Sequence, residues 1–287
     1  MKKNGVLNIY KPSGITSNAV VTKLRRLTGE KTGHTGTLDP DAEGVLPICL
    51  GKATKAAGML TDSDKAYRAR LVLGVKTDTQ DMTGTVLEKK DVNVSESEFA
   101  EAAQRFTGEI MQVPPMYSAV KMNGQPLYKL ARQGIEVERK PRKIKIYDIK
   151  ILSFDGASAE IEVSCSKGTY IRTLCDDIGA KLGCGAAMDK LVRIKSGIFL
   201  VENSVKLETL EKNPSIIDDI LIPVDKLFPY KQLMLSGDAA KAVKNGIPVQ
   251  CDGLANGEKY RLYAPNGEFL CISSFTGTVL KMEKSFY

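Results

Sequence analysis

The chain has 287 residues, of which 43% are hydrophobic and 26% charged, and this composition excludes a disordered or fibrous protein. Its length is enough for one large domain, or for a large domain with a small one attached. The formal charge of +7 favours an anionic partner. Because the sequence has no run of about 18 apolar residues and no signal-peptide pattern at its N-terminus, we expect a cytoplasmic protein that does not interact with membranes.

The first quarter of the chain predicts three strands, one helix and a long loop. A helix is indicated by apolar residues at helical spacing, beginning after Thr16 or Ser17, which suit an N-cap, and ending at Gly29. The long loop runs from Gly33 to Lys55 and contains one of the strands. The strands are predicted at residues 6–10, 45–50 and 66–73.

The middle of the chain alternates between predicted strands and helices. Ser95 followed by Glu98 is a capping box, which predicts a helix through about Phe106. Apolar residues at steps of three and four predict a further helix over residues 171–182. The remaining elements are a strand near 85–87, a short helix near 127–132, and strands at 143–154 and 159–165.

Most of the excess positive charge lies between Lys121 and Lys145. This segment carries eight basic and two acidic residues, a net charge of +6. The charge pattern alone fits either a solvated surface or an arm that contacts phosphate groups. Its glycine and charge content favours a segment that becomes ordered when it binds its partner.

The pattern changes again near residue 229. A short helix over 237–244 is followed by brief apolar runs, separated by Asn-Gly pairs at 245–246, 256–257 and 266–267. Asn-Gly between apolar runs is a strong hairpin signal. We therefore predict a domain boundary near residue 229, with a small β-barrel over 229–287.

The six cysteines do not form a recognisable metal site. They include no C-x-x-C pair, and the chain has a single histidine, His34, so neither common zinc pattern can be assembled. We interpret the cysteines as reduced, mostly buried thiols of a cytosolic protein. No nucleotide-binding fingerprint is present either, and we predict that the protein has no metal and no cofactor.

The loop GHTGTLDPDAEGVLPICLGKATK, from Gly33 to Lys55, is the best candidate for chemistry. Its spacing fits neither a P-loop nor an EF-hand. What remains is the carboxylate of Asp39 on a glycine-rich loop, with His34 nearby. The residues alone fit a turn aspartate beside a structural histidine equally well. Asp39-Pro40-Asp41 also resembles the D-x-D motif of magnesium-dependent aspartyl-phosphate enzymes.

This loop closely resembles the catalytic motif of the TruB family, the bacterial tRNA pseudouridine-55 synthases. Further stretches match the family's motifs in the same order over about residues 5–200. Val192 departs from the pattern, since an arginine is common there. The matching stretches are KPSGITS (11–17), KAYRARLVLGVKTDTQDMTG (65–84), PPMYSAVKMNGQPLYKLARQG (114–134), SKGTYIRTL (166–174) and LVRIKSGIF (191–199).

The resemblance implies a set of catalytic residues. Asp39 corresponds to the family's catalytic aspartate, which attacks the base or the ribose or stabilises the charge between them. Arg172 corresponds to the arginine that pairs with it, and a bidentate pair would keep the carboxylate charged and aimed. Tyr67 corresponds to the tyrosine that stacks on the extruded base and is a candidate for the final proton transfer from carbon.

Five more residues are implied to bind the substrate RNA. The histidine of the family that matches His34 contacts the rearranged RNA loop. Tyr170 and Leu191 are expected to form the apolar wall of the base pocket, and Asp81 to anchor polar contacts near Tyr67. Lys11 would either support the catalytic loop or reach phosphate.

The resemblance also implies fold, reaction and partner. It implies an α+β catalytic domain, residues 1–228, on a mixed, largely antiparallel sheet, with an RNA-contacting insertion at about 112–145. Residues 229–287 would form a PUA-like RNA-binding barrel. The expected reaction is cofactor-free conversion of a flipped uridine to pseudouridine in the T loop of tRNA, by a monomer. The alternatives are a non-catalytic RNA-binding protein and a magnesium-dependent phosphohydrolase.

Overall fold

The computed structural model describes residues 3–287, which form two large β-sheets and two small hairpins with helices packed against them. In this part of the chain the helices are α1 (Ser17–Thr28), α2 (Ala57–Thr61), α3 (Glu96–Gln104), α4 (Leu127–Ala131), α5 (Ile171–Leu182), α6 (Leu207–Lys212), α7 (Ile217–Ile220) and α8 (Gly237–Lys244). The strands are β1 (Gly5–Lys11), β2 (Thr32–His34), β3 (Glu43–Leu50), β4 (Lys65–Leu73), β5 (Val75–Thr77), β6 (Val86–Lys89), β7 (Gly108–Gln112), β8 (Lys121–Met122), β9 (Gln125–Pro126), β10 (Arg142–Phe154), β11 (Ser158–Cys165), β12 (Ala186–Ser196), β13 (Phe199–Leu200), β14 (Val205–Lys206), β15 (Lys231–Met234), β16 (Val249–Gln250), β17 (Lys259–Tyr263), β18 (Phe269–Thr276) and β19 (Val279–Ser285).

The larger sheet is mixed and largely antiparallel, which confirms the predicted α+β fold class. Its main path is β14-β1-β3-β12-β4-β11-β10-β7, with β2 paired to β3 and β13 to β12. Among the described strands of this sheet, β1 with β14 and β3 with β12 are the parallel pairs. The central strand β12 was not predicted. Two register shifts along its pairing with β4 interrupt the two-residue alternation that reveals a strand in sequence.

The strand that follows Asp39 is buried on both faces. Leu46, Ile48 and Leu50 of β3 lie in the main hydrophobic core. Val45 and Cys49, on the opposite face, lie in a second cluster. Because β3 packs between two cores, the end of the loop that carries Asp39 is held in place.

The helix signals in the sequence are confirmed by capping geometry. The Thr16 hydroxyl accepts a hydrogen bond from the Ala19 N–H at the start of α1, and Gly29 ends the helix with a φ of +68°. Ser95 and Glu98 form both hydrogen bonds of a capping box at α3. Local signals of this kind are readable because each involves residues three or four positions apart.

Residues 231–285 form the second large sheet, in the order β15-β17-β18-β19-β16, which curls into half a barrel around its own core. Asn266-Gly267 connects β17 and β18 as a hairpin turn, as predicted. The hairpin prediction was wrong at Asn245-Gly246, where Gly246, with a φ of +75°, follows the end of α8. It was also wrong at Asn256-Gly257, which precedes β17. The boundary at residue 229 stays a prediction.

The basic segment 121–145 contains a small hairpin of β8 and β9, the helix α4, and the first residues of β10. Leu127 at the start of α4 is fully buried. Part of the segment therefore already packs against the protein, while its ordering on RNA stays a prediction. The cysteines are all free, and five of the six are buried, in agreement with their interpretation as reduced thiols.

Candidate active site

A cavity of about 580 Å³ opens above the loop that carries Asp39. Six of the eight residues implied by the resemblance line this cavity or the adjoining cavity of about 390 Å³. Asp39, Arg172 and Leu191 line both cavities. Tyr67 and Tyr170 line the larger one. The volume falls within the range of natural ligand pockets.

Arg172 pairs with Asp39 at the base of these cavities. Its Nε donates to Asp39 Oδ2 at 2.9 Å. The guanidinium is only 5% exposed, whereas the Asp39 carboxylate is 44% exposed. A buried cation thus holds one oxygen of Asp39, while almost half of the carboxylate surface stays exposed where Asp39 lines the cavity.

The pair is not bidentate, contrary to expectation. The other two guanidinium nitrogens donate to the carbonyls of Thr79 at 2.9 Å and Tyr117 at 2.8 Å. These bonds fix the plane of the guanidinium and leave Nε to aim at Asp39. Arg172 itself is carried by α5, whose apolar side chains are buried in the main core.

Asp81 contacts Arg172 rather than the surroundings of Tyr67. Its Oδ2 lies 3.7 Å from Arg172 Nε, and its other carboxylate oxygen accepts from Thr79 and Thr83. Asp81 lines the smaller cavity. It therefore adds a second negative charge beside the buried guanidinium and fixes the segment that carries the Thr79 carbonyl.

Lys11 supports the loop that carries Asp39. Its ammonium group is completely buried and donates to the carbonyls of Pro12, Ile15 and Pro40 at 2.7–2.8 Å. Burial lowers the pKa of Lys11 to about 8, although nearby carboxylates oppose this. In this structure the group holds Pro40, next to Asp39, and has no exposed surface with which to reach phosphate.

His34 lies in β2, at the edge of the loop, and lines neither of the two cavities. Its Nδ1 accepts a hydrogen bond from the Gly36 N–H at 3.3 Å. Burial and the nearby charge of Arg193 lower the pKa of His34, so the imidazole is neutral at pH 7. Its predicted contact with RNA is not tested by the geometry.

The aromatic walls of the larger cavity come from two different elements. Tyr67 lies on β4 and Tyr170 precedes α5, and both are half-buried. Burial raises the pKa of both hydroxyls, and Arg193 opposes that rise at Tyr67. The Gln112 side chain exchanges two hydrogen bonds with the Tyr170 backbone, at 2.9 and 3.0 Å.

Sequence reasoning missed two buried cations at the site, Arg193 and Lys65. Both line the larger cavity. Lys65 donates to the carbonyls of Thr61 and Ser63. Both residues stand in stretches quoted for the resemblance, but nothing in their local sequence distinguishes them from exposed lysines and arginines.

The described residues hold no cluster of three or more His, Cys, Asp or Glu side chains suited to a metal ion. No helix in residues 3–287 is both long enough and apolar enough to cross a membrane.

Comparisons with known proteins identify the class. Among solved structures, a Cbf5-Nop10-Gar1 complex contains a chain that superposes with a TM-score of 0.76 and 28% identity, covering 99% of this chain and 85% of that one. An H/ACA RNP bound to a substrate RNA containing 2′-deoxyuridine gives a TM-score of 0.73 with 26% identity, at coverages of 99% and 85%. The fold is that of a pseudouridine synthase.

Family models and curated relatives identify the family within this class. Residues 24–171 match the N-terminal domain of the TruB family pseudouridylate synthases, and residues 172–229 match the C-terminal domain of tRNA pseudouridylate synthase B. The tRNA pseudouridine synthase B of Clostridium acetobutylicum is 47% identical over 287 residues, covering 98% of this chain and 99% of the relative. That of Clostridium kluyveri is 44% identical over 289 residues, covering 99% of each. The chain belongs to the TruB family of pseudouridine synthases.

Proposed function

We propose that this protein converts uridine 55 in the T loop of tRNA to pseudouridine, with Asp39 as the nucleophile and without a cofactor. The observation that carries the proposal is the Arg172–Asp39 pair, which presents a half-exposed carboxylate to a cavity walled by Tyr67, Tyr170 and Leu191. The named relatives are tRNA pseudouridine synthases, which supports tRNA as the substrate.

The reaction breaks the C–N glycosidic bond, turns the base, and joins C5 of uracil to the ribose, after which C5 loses its proton. Asp39 attacks the nucleoside so that the freed base stays in the cavity. Its exposed oxygen suits this role, because the oxygen bound to Arg172 is already engaged. In this proposal Tyr67 stacks on the base and is the candidate for the proton transfer from C5.

The target base must leave the folded RNA loop before Asp39 can reach it. The cavity lies at the surface of the protein, and its aromatic and apolar walls replace the stacking that the base loses. Stacking on an aromatic side chain is worth about 1–3 kcal/mol, which offsets much of the cost of extruding one base. His34 would then contact the rearranged T loop.

The basic segment 121–145 would bind the T-arm backbone. Arg142 and Lys143 of this segment line the larger cavity, and Tyr128 and Arg132 line the smaller one. The positive segment is therefore continuous with the site rather than remote from it. Residues 229–287 would add a PUA-like RNA-binding module to the catalytic domain, and the protein would act as a cytoplasmic monomer.

The variant Asp39→Asn tests the nucleophile. It keeps the size and one acceptor of the side chain, so tRNA binding should persist while pseudouridine at position 55, mapped by carbodiimide modification, disappears. Asp41→Asn is the matched control, because Asp41 is an exposed carboxylate two residues away. A variant with Asn at position 39 that still forms product would overturn the proposed chemistry.

Two further measurements separate the alternatives. A tRNA transcript with cytidine at position 55 should yield no pseudouridine, and product elsewhere would contradict the assigned position. A magnesium-dependent phosphohydrolase would require both Asp39 and Asp41 and would stop in excess EDTA. Turnover that persists in EDTA and in Asp41→Asn therefore excludes that alternative.

A further inference from the structure

Arg193 lies at the centre of the site and has no role in the chemistry described so far. It is a residue of β12 whose neighbours across the sheet are Gly44 of β3 and Tyr67 of β4. Arg193 thus lies between β3, the strand that follows Asp39, and β4, the strand that carries Tyr67. Arg193 is only 2% exposed, although its side chain lines the larger cavity.

The guanidinium of Arg193 binds the catalytic loop on both sides of Asp39. Nε donates to the Val45 carbonyl at 2.7 Å. The two terminal nitrogens donate to the carbonyls of Gly36 at 3.0 Å and Thr37 at 3.4 Å. One side chain therefore joins the backbone just before Asp39 to the strand β3 that follows it.

The close approach of β3 and β12 also restricts Gly44. A Cβ at Gly44, whose φ is +100°, would lie 2.3 Å from the Arg193 carbonyl oxygen. Only glycine allows the two backbones to come this near. The approach brings the Arg193 side chain underneath the loop, where the carbonyls of Gly36, Thr37 and Val45 are in reach.

Arg193 is a buried cation that binds carbonyls instead of a carboxylate. Within residues 3–287 it forms no ion pair, and its hydrogen bonds within the loop go to backbone carbonyls. Burying an uncompensated charge is costly, and an apolar side chain of similar volume is often tolerated or even stabilising in its place. An arginine that served packing alone would be an unfavourable choice here.

The charge also acts on Tyr67. Arg193 lies close enough to the Tyr67 hydroxyl to oppose the increase in pKa that burial causes. Arg193 therefore binds the loop of the proposed nucleophile through its side chain. It also lies directly across the sheet from the proposed proton acceptor, Tyr67. Arg172, by contrast, binds Asp39 directly and makes its other bonds to Thr79 and Tyr117.

We propose that Arg193 is a positioning residue that holds Asp39 and Tyr67 at a fixed separation, so that both reach the same uracil ring. This inference rests on the proposed function, in which these two residues act on one base. Rate enhancement by positioning is sensitive to small displacements, and a shift of about 1 Å can reduce a rate by about 100-fold.

The test compares Arg193→Met and Arg193→Lys with the control Arg68→Met. Methionine fills similar space without charge or donors, whereas lysine keeps the charge and part of the hydrogen bonding. Arg68 neighbours Tyr67 on β4 but forms only exposed ion pairs with Glu160 and Glu162. For each full-length variant we would measure kcat, KM for tRNA, equilibrium tRNA binding and the thermal midpoint.

We expect kcat of Arg193→Met to fall by about 100-fold, with KM and tRNA affinity within about threefold of wild type, because Arg193 is only 2% exposed and the basic segment 121–145 is unchanged. Arg193→Lys should recover a substantial part of kcat, and Arg68→Met should behave as wild type. A Met variant that is folded and retains full kcat would overturn the inference. So would a loss of activity that matches the unfolded fraction, since that result would show a purely structural role.

The outcome for Asp39→Asn keeps the two proposals apart. If Asp39→Asn is inactive while Arg193→Met is fully active, only the positioning role fails. If Asp39→Asn remains active, the proposed chemistry fails whatever Arg193 does. If Arg193→Met has too little folded protein at the assay temperature for kcat per folded molecule to be measured, Arg193→Lys, which preserves the buried charge, decides instead. A folded Lys variant with a reduced kcat and unchanged KM supports positioning, and one with unchanged kcat overturns the need for the guanidinium geometry.

Discussion

Replacing Arg172 with lysine keeps the positive charge at the site but removes the planar guanidinium and its arrangement of donors. The arginine makes three hydrogen bonds of 2.8–2.9 Å, to Asp39 and to the carbonyls of Thr79 and Tyr117. A lysine ammonium is a point charge on a shorter, flexible stem and cannot reproduce this planar fork. We expect it to lose two of the three bonds.

Each hydrogen bond from a charged donor contributes about 1.5–3 kcal/mol, so two lost bonds correspond to about 3–6 kcal/mol. Because the Asp39 carboxylate is 44% exposed, water compensates part of this loss, and about 3–4 kcal/mol is a reasonable expectation. With Asp39 no longer aimed, kcat should also fall by about 10²-fold or more.

Urea denaturation, followed by circular dichroism, and single-turnover pseudouridine formation measure the two effects. Arg68→Lys is the matched control, since its ion pairs are solvent-exposed and worth at most about 1 kcal/mol. If Arg172→Lys kept the stability and rate of the wild type, the claim that these three hydrogen bonds stabilise the fold and orient Asp39 would be refuted.

Three further outcomes are expected. Gly44→Ala should destabilise the protein by about 2–4 kcal/mol in urea denaturation, because its Cβ would collide with the Arg193 backbone at a positive φ, whereas Gly58→Ala, in open space, should not. Burial raises the pKa of Asp177 to about 6 from 3.8, so the folded state loses stability as pH rises through this interval. Asp177→Asn should therefore raise the free energy of unfolding at pH 7.5 by about 1–2 kcal/mol, after allowance for solvent screening, and leave it nearly unchanged at pH 4. Thermal or urea denaturation at the two pH values measures this, and an equal gain at both would contradict it. The affinity for tRNA should fall steeply with added salt, and an affinity insensitive to salt would argue against binding through segment 121–145.

Local signals in the sequence predicted local structure well. The cap of α1 at Thr16 and the capping box at Ser95 depend on residues a few positions apart, and both are confirmed. The Asn-Gly pairs show the limit of such signals. Asn266-Gly267 forms a hairpin because strands flank it, whereas Asn245-Gly246 follows a helix and ends it.

Features that depend on how strands pair in the sheet could not be predicted from local sequence signals. Arg193 looks like any arginine in a charged strand, and it is buried only because β12 lies between β3 and β4. The bulges in β12 break the alternation of buried and exposed residues by which the strand could have been predicted from the sequence. Likewise, the resemblance predicted that Arg172 meets Asp39, but only the fold shows that Thr79 and Tyr117 take its remaining donors.

The second hydrophobic cluster, which contains Val45 and Cys49 of β3, affects what can be learned from truncating the protein. Ile272 and Phe286 of the half-barrel pack with Val6 and Val45, and Val45 is also the residue whose carbonyl binds Arg193. Cutting the chain near residue 229 would expose these apolar side chains to water and would weaken the packing that holds the loop carrying Asp39. A shortened protein would therefore lose turnover even with a substrate that needs none of the removed residues for recognition, so weak activity after truncation says little about RNA binding by the excised part.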